Sequence, residues 1–256
     1  DWRRYLDEEV MIFAATNDAD LYAFDVTPNI AKLVFGGDVK MPPALKPLTG
    51  ALLAGYEGDY QLKGGGVIHV GATGTSLNIS SGDQAAAKLV QPVSSAQVER
   101  RDALLVEVPA AYAMGFDGEF DAMRRLIDPF APAQEFAGME AERLAGMKQR
   151  HGAFKSARAV SGRNRFGEVA IVLELYFEAG QTMMEFSFSD QGIGAIRFID
   201  QYPCRFLRPT SPTSFIELDV KSGTTWTLTF ELDKQGVAKS LVLMDPSGEP
   251  QPARRL

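Results

Sequence analysis

A six-residue apolar run near the start, Val10-Met11-Ile12-Phe13-Ala14-Ala15, constrains this chain more than any other stretch. A strand with apolar residues on both faces needs cover on both faces, as in the middle of a sheet. The run stops at Thr16-Asn17, and a short helix is expected after it. Thr27 reads as the N-cap and Pro28 as the first helical position, with Ile30, Leu33 and Val34 as an apolar stripe and Gly36-Gly37 as the stop. One helix cannot sandwich such a strand, and nothing else before residue 50 offers neighbouring strands. The expectation is therefore that partners for residues 10–15 lie upstream of Asp1 or on another chain.

The remainder divides by pattern. Met41-Pro42-Pro43 through Pro47 reads as a stiff linker. Strands are expected at 56–62, 67–70, 77–79 and 87–90, separated by Gly64-Gly65-Gly66, Gly74 and Ser80-Ser81-Gly82-Asp83. Short strands at about ten-residue spacing with glycine turns suggest a small barrel or sandwich. From 98 to 205 the pattern changes to helices followed by strands. Phe120, Met123, Leu126 and Ile127 mark one helix, ended by Asp128-Pro129, and Phe136, Met139, Leu144 and Met147 mark another. Val169, Ile171, Leu173, Leu175 and Phe177 alternate as a strand, as do Met184, Phe186 and Phe188, and residues 193–199 follow. Beyond Pro212, Trp226, Leu228, Phe230 and Leu232 alternate with Thr225, Thr227, Thr229 and Glu231, a half-buried strand, and a turn at Gly236 leads into residues 237–244. The fold class expected is α+β.

Composition removes several functions. The net charge is −7, and basic residues cluster no further than pairs such as Arg100-Arg101 and Arg124-Arg125, which argues against nucleic acid. Cys204 is the one cysteine, so an intrachain disulfide and a cysteine-based zinc site are excluded. No apolar run approaches the roughly 20 residues of a membrane helix. The opening Asp1-Trp2-Arg3-Arg4-Tyr5-Leu6 is not a signal peptide and carries no initiator Met, so the chain reads as an excised piece.

Three stretches carry a resemblance. Arg3-Arg4-Tyr5, the run at 10–17 and the helix to Phe35-Gly36 resemble the end of a serine β-lactamase or penicillin-binding-protein-like domain, where a last core strand and a C-terminal helix close the α/β half. Tyr56-Glu57-Gly58-Asp59-Tyr60-Gln61-Leu62 is similar to the opening of the small, lipocalin-like β-barrel that often follows that hydrolase domain. Leu228-Thr229-Phe230-Glu231, Gly236, residues 241–243 and Pro252-Ala253-Arg254-Arg255 resemble that barrel's ending. The resemblance implies three parts: a strand–helix remnant at 1–40, a discontinuous barrel at 50–97 and 206–256, and an inserted domain at 98–205. The insert resembles a cystatin-like or NTF2-like accessory domain. The implied partner is an upstream catalytic domain or a homo-oligomer copy, and the implied location, by family alone, is periplasmic or secreted.

That hydrolase family works through a Ser-x-x-Lys pair, a Tyr-x-Asn/Ser loop and a Lys/His-Thr/Gly-Gly strand edge. The chain contains no Ser-x-x-Lys and no Tyr-x-Asn or Tyr-x-Ser. Lys221-Ser222-Gly223 and His69-Val70-Gly71 match the third motif superficially and read as a hairpin turn and a strand. The two histidines fit ordinary roles, His151 at a helix end and His69 on a strand. Asp7-Glu8-Glu9 reads as a solvated turn, Glu140 and Glu142 as the wet side of a helix, and Met139 and Met147 as core filler. No catalytic residue, metal site or cofactor is expected. One binding option remains: Arg163 and Arg165, flanking Asn164 near a strand end, could hold an anion, against the plainer reading of a charged hairpin tip. The leading expectation is a non-catalytic accessory region of a serine hydrolase. The rival is a free-standing module that binds a small molecule in the inserted domain or a partner on a sheet edge.

Overall fold

The structure, a computed structural model, describes residues 1–15, 23–39, 43–165, 168–189, 192–218, 225–245 and 247–256. It is α+β, with an eight-stranded antiparallel barrel and a separate four-stranded sheet backed by helices. The chain divides into two compact units. One comprises Asp1–Lys63, Val70–Asn78 and Phe206–Leu256, and the other Gly64–His69 and Ile79–Arg205.

The apolar run near the start does form a strand, but not a buried one. β1 (Trp2–Tyr5) and β2 (Val10–Phe13) pair as a two-stranded antiparallel hairpin in the register Trp2↔Phe13 to Tyr5↔Val10. The acidic turn between them is exposed, as its charges require. Helix α1 (Ala23–Val34) packs on the face that carries Ile12, and the rings of Tyr5 and Phe35 meet edge-on at 4.8 Å. The opposite face has no cover among the described residues: Trp2, Met11 and Phe13 are 65%, 67% and 73% exposed. Two expectations are thus corrected: a neighbouring strand does lie within this chain, because Trp2–Tyr5 folds back on Val10–Phe13, and burial is one-sided, because the hairpin has a helix on one face only. The start of α1 is corrected too. The helix begins before Thr27, which is fully buried inside it, and Pro28 lies in its interior. Its stop is as read, with Gly36 at φ +74 and Gly37 N–H donating to Lys32 O at 2.6 Å.

After a single turn, α2 (Gly50–Leu53), the barrel begins. Its strands are β3 (Gly58–Leu62), β4 (Val67–Thr73), β5 (Ser76–Ser80), β10 (Arg205–Pro209), β11 (Ser214–Leu218), β12 (Thr225–Leu232), β13 (Ala238–Met244) and β14 (Pro250–Arg255). The order around the barrel is β10-β11-β12-β13-β14-β3-β4-β5, closed. Each strand therefore neighbours its sequence successor, except that everything between β5 and β10 is inserted where a hairpin loop would be. Eight strands leave an interior just wide enough for side chains to fill. Trp226, Leu228 and Phe230 point inward from β12, with Tyr60, Ile68, Leu77, Ile79, Phe215 and Leu241 from other strands, all nearly inaccessible. Tyr56, Tyr60, Phe215 and Phe230 form an aromatic cluster with centroids 4.8 to 5.9 Å apart. Burial pushes the Tyr60 hydroxyl up to about 12, and it donates to Tyr56 O at 2.7 Å.

The Gly-Asp-Tyr and Ala-Arg-Arg signatures acquire a mechanical reason here. Arg255 at the end of β14 donates from Nη1 to Gly55 O and Ala238 O, each at 3.2 Å, and from Nη2 to Glu57 O at 2.5 Å. Gly58, at φ +143, lies against this guanidinium; a Cβ there would be 3.1 Å from Arg255 Nε. A side chain would be strained on both counts.

The insert starts with α3 (Gln84–Val90), where a strand was expected at 87–90. The correction is a capping effect: Asp83 Oδ1 accepts from Ala85 N at 2.9 Å and Ala86 N at 3.0 Å, which starts a helix. A 3-10 turn, Ser95–Gln97, leads into α4 (Val98–Phe116), followed by α5 (Asp121–Ile127) and α6 (Ala133–His151). The sheet β6-β7-β8-β9 is wholly antiparallel, from β6 (Phe154–Arg165), β7 (Glu168–Phe177), β8 (Gly180–Ser189) and β9 (Gly192–Ile199). Odd residues of β7 and even residues of β8 pack with Leu104, Val108, Tyr112, Met123, Phe136 and Leu144 in one core. On α6 the buried stripe is Phe136, Glu140, Leu144 and Met147, so the expected roles of two neighbours are exchanged: Met139 is 59% exposed and Glu140 is 4% exposed. A helix buries positions three and four apart, and Glu140 holds such a position because Arg143 neutralises it.

Candidate functional site

β7 is buried on both faces, and its second face carries charge. Glu174 is fully buried in the middle of that face, between Arg158 on β6 and Met183 on β8. Its Oε2 accepts from Arg158 Nε at 2.5 Å and from Tyr176 OH at 2.8 Å, and its Oε1 accepts from Tyr202 OH. Burial pushes the Glu174 carboxyl up, but the bonds from Arg158, Tyr202 and Tyr176 outweigh it and leave the group below the usual carboxylate range. Tyr202 is pushed up by burial and by its bond to Glu174, so it stays a phenol. One row along, Glu185 on β8, 2% exposed, faces Arg197 on β9 and accepts from its Nε at 2.7 Å and from Nη2.

Tyr202 belongs to the segment that leaves β9, and it lies over this face because Gly82 makes room. A Cβ on Gly82 would be 2.4 Å from the Tyr202 ring. Around it, Gln91 Nε2 donates to Pro203 O at 3.2 Å, Arg205 Nε to Val90 O at 2.5 Å, and Ser81 Oγ to Val67 O at 2.6 Å. Chemically, this network holds charge in place. A carboxylate saturated by three donors and held below its normal range is a poor proton acceptor, and a phenol pushed upward is a poor proton donor.

The helices provide a cleft of about 530 Å³, lined by Met114, Phe120, Arg124, Arg125, Ala133 and Ala137. Arg124 Nη1 donates to Pro129 O at 3.1 Å, and its buried Nε has no partner among the described residues. Glu119 and Asp121 are part of the same lining, so its charges balance. Its lining includes no serine, cysteine or histidine among the described residues. Deeper between α4 and α6, Glu140 Oε2 accepts from Arg143 Nε at 2.8 Å, while Arg143 Nη2 donates to Tyr112 OH at 2.9 Å. Burial pushes Tyr112 up to about 12.

Of the residues nominated from sequence, Arg163 and Arg165 fall at the end of β6, where Arg165 pairs with Glu168 and Asn164 with Val169. Their side chains lie outside the described residues, as do Lys221-Ser222-Gly223. His69-Val70-Gly71 lies within β4, with Val70 in the barrel interior. His151 ends α6 with its ring 5.4 Å from that of Phe177. Among the described residues no three His, Cys, Asp or Glu side chains converge as a metal site, and no helix is long and apolar enough to cross a membrane. Sequence reading passed over Glu174 and Tyr202. The signal for Glu174 was a lone charge inside Val169-Ala170-Ile171-Val172-Leu173-Glu174-Leu175; Tyr202 had none, since Gly82 lies far from it in sequence. Compared with known proteins, the chain matches no family model, no curated protein and no solved structure.

Proposed function

We propose that this chain is the non-catalytic C-terminal accessory region of a β-lactamase-related serine hydrolase, supporting or gating a catalytic domain or mediating its assembly. The observation that carries the reading is the hairpin of β1 and β2. It has a helix on one face and Trp2, Met11 and Phe13 exposed on the other. Burying a side chain of this size is worth about 1.5–3 kcal/mol, so three on one small face favour a missing layer. A last core strand followed by a C-terminal helix is also what the end of the resembled hydrolase domain supplies. The Gly58, Tyr60 and Arg255 arrangement supports the accessory-barrel part of the reading. The insert, helices on a four-stranded antiparallel sheet, is read as cystatin-like or NTF2-like, and the family's habit of export favours the periplasm or cell exterior.

The test has two arms. The reading frame ahead of Asp1 is expected to encode a Ser-x-x-Lys pair, and the 256-residue chain alone is expected to hydrolyse nitrocefin and p-nitrophenyl acetate no faster than buffer. Saturable turnover by the chain, or a start codon directly before Asp1, would overturn the proposal.

A further inference from the structure

The corner where α4, α5 and α6 meet holds the cleft of about 530 Å³, a size ordinary for small-molecule sites. Its lining is of two kinds. Met114 on α4, Phe120 before α5, and Ala133 and Ala137 on α6 are apolar, while Glu119, Asp121, Arg124 and Arg125 carry charge. None of those four charged side chains forms an ion pair among the described residues. Asp121 nevertheless stands three and four residues before the two arginines, the spacing at which neighbours on a helix ordinarily pair. Arg124 is the more demanding of the two. It is half-buried, and its Nη1 donates to Pro129 O at 3.1 Å and Ala131 O at 3.5 Å. Asp128 Oδ1 fixes that turn by accepting from Phe130 N at 3.2 Å and Ala131 N at 3.1 Å. The guanidinium is thus held in place, yet its Nε is buried without an acceptor and its Nη2 makes no hydrogen bond among the described residues. A partly desolvated cation ordinarily has a counter-charge, and a buried donor ordinarily has an acceptor.

We infer that this cleft binds an apolar α-amino acid in its zwitterionic form. The ligand carboxylate accepts from Arg124 Nη2 and supplies the counter-charge that the guanidinium lacks, the pairing for which a guanidinium is better shaped than an ammonium. A simple anion would also meet Glu119 and Asp121 in the same lining. A ligand that carries an ammonium as well turns those carboxylates from repulsive to attractive, and its ammonium donates to Asp121. Side chains three or four apart on a helix are neighbours, about 5–6 Å between Cβ atoms. Opposite charges that close suit a molecule whose own two charges sit on adjacent carbons. Met114, Phe120, Ala133 and Ala137 leave the ligand side chain an apolar wall. The cleft lies wholly within one compact unit, so the inference is independent of whether a catalytic domain precedes the chain.

Isothermal titration of the full chain with L-leucine, isocaproate and isoamylamine tests it, the last two being leucine without its ammonium and without its carboxylate. Leucine should bind saturably and about tenfold or more tighter than either analogue, since a hydrogen bond to a charged group is worth roughly that factor. Asp121→Asn should bring leucine down to the level of isocaproate, and Arg124→Gln should bring it down to the level of isoamylamine. Because Arg124 also ties the turn between α5 and α6, Asp121→Asn decides alone if Arg124→Gln loses its circular dichroism spectrum. The place of binding is read by NMR of methyl-labelled methionine, in which the Met114 signal, assigned through Met114→Leu, should move with added leucine. No saturable binding of leucine, analogues that bind as tightly as leucine, affinity indifferent to Asp121→Asn, or an unmoved Met114 signal would each overturn the assignment.

Discussion

Gly82→Ala isolates what Tyr202 does for the inserted unit. A methyl group at position 82 would lie 2.4 Å from Tyr202 Cζ and 2.5 Å from its hydroxyl oxygen, distances that no relaxed structure tolerates. The protein has two ways out. It can keep the ring in place and absorb the overpacking, at about 1–3 kcal/mol. Alternatively, it can swing the ring away and lose a hydrogen bond to the ionised Glu174, at about 1.5–3 kcal/mol. The cheaper route sets the cost, so Gly82→Ala should destabilise by about 1–3 kcal/mol. In a Tyr202→Ala background the obstacle is gone. The backbone φ is not positive at Gly82, so alanine fits without strain. It should then stabilise by about 0.4–1 kcal/mol through the lower entropy of the unfolded chain. The sign reversal is the signature. Urea unfolding followed by far-UV circular dichroism reads it, because α3 to α6 all belong to this unit. Trp2 and Trp226 lie in the other unit, so their emission serves as an internal reference. A Gly82→Ala cost that is equal in both backgrounds, or absent when Tyr202 is present, refutes the reasoning.

Two further outcomes are expected. Glu174 is held below its normal range in the fold, so its stabilisation is fully present above the unfolded carboxylate range of about pH 4–5 and is lost as pH falls through the lower folded value. Glu174→Gln should therefore flatten the acid limb of the stability–pH curve while lowering stability at neutral pH; an unchanged acid limb would show that other carboxylates govern it. Arg143→Ala strands Glu140, whose side chain is 5% exposed, and should cost about 3–5 kcal/mol in urea unfolding, whereas Glu142→Ala on the exposed side of α6 should stay within about 0.5 kcal/mol. Similar losses from both substitutions would contradict the buried-pair account.

The parts of the fold legible in the sequence were those where local periodicity and burial coincide. Trp226, Leu228 and Phe230 alternate because one face of β12 fills the barrel, and the glycine-punctuated strands from Gly58 to Ser80 followed the same logic. Helix α4 left no clean stripe, since Val106 and Met114 remain exposed beside buried Leu104, Leu105 and Val108, and Pro109 interrupts it. Strand β6 was hidden by polar residues such as Lys155, Ser156 and Arg158, one of which exists to meet Glu174 across the sheet. Glu140 reads as solvated in the sequence because charge normally marks the wet face, and its partner Arg143 becomes visible only once the helix is packed. Candidate sites were harder still: Glu174, Tyr202 and Gly82 assemble through pairings more than twenty residues apart, which no local pattern encodes. Of the hairpin, the sequence shows β2 as strand but neither its partner β1 nor its cover, because an apolar run states an appetite for burial and not whether it is met.

The ring of barrel strands has a structural consequence for how such a chain can vary. With β5 and β10 adjacent, its ladder is complete whatever the intervening hundred-odd residues do, and a closed ladder exposes no frayed margin that a longer or shorter excursion could widen. The excursion, for its part, has its departing and returning threads tied by Gln91 to Pro203, by Arg205 to Val90 and by the close approach of Tyr202 to Gly82. A cassette hemmed at its own base can be enlarged, trimmed or swapped without disturbing the cylinder that hosts it.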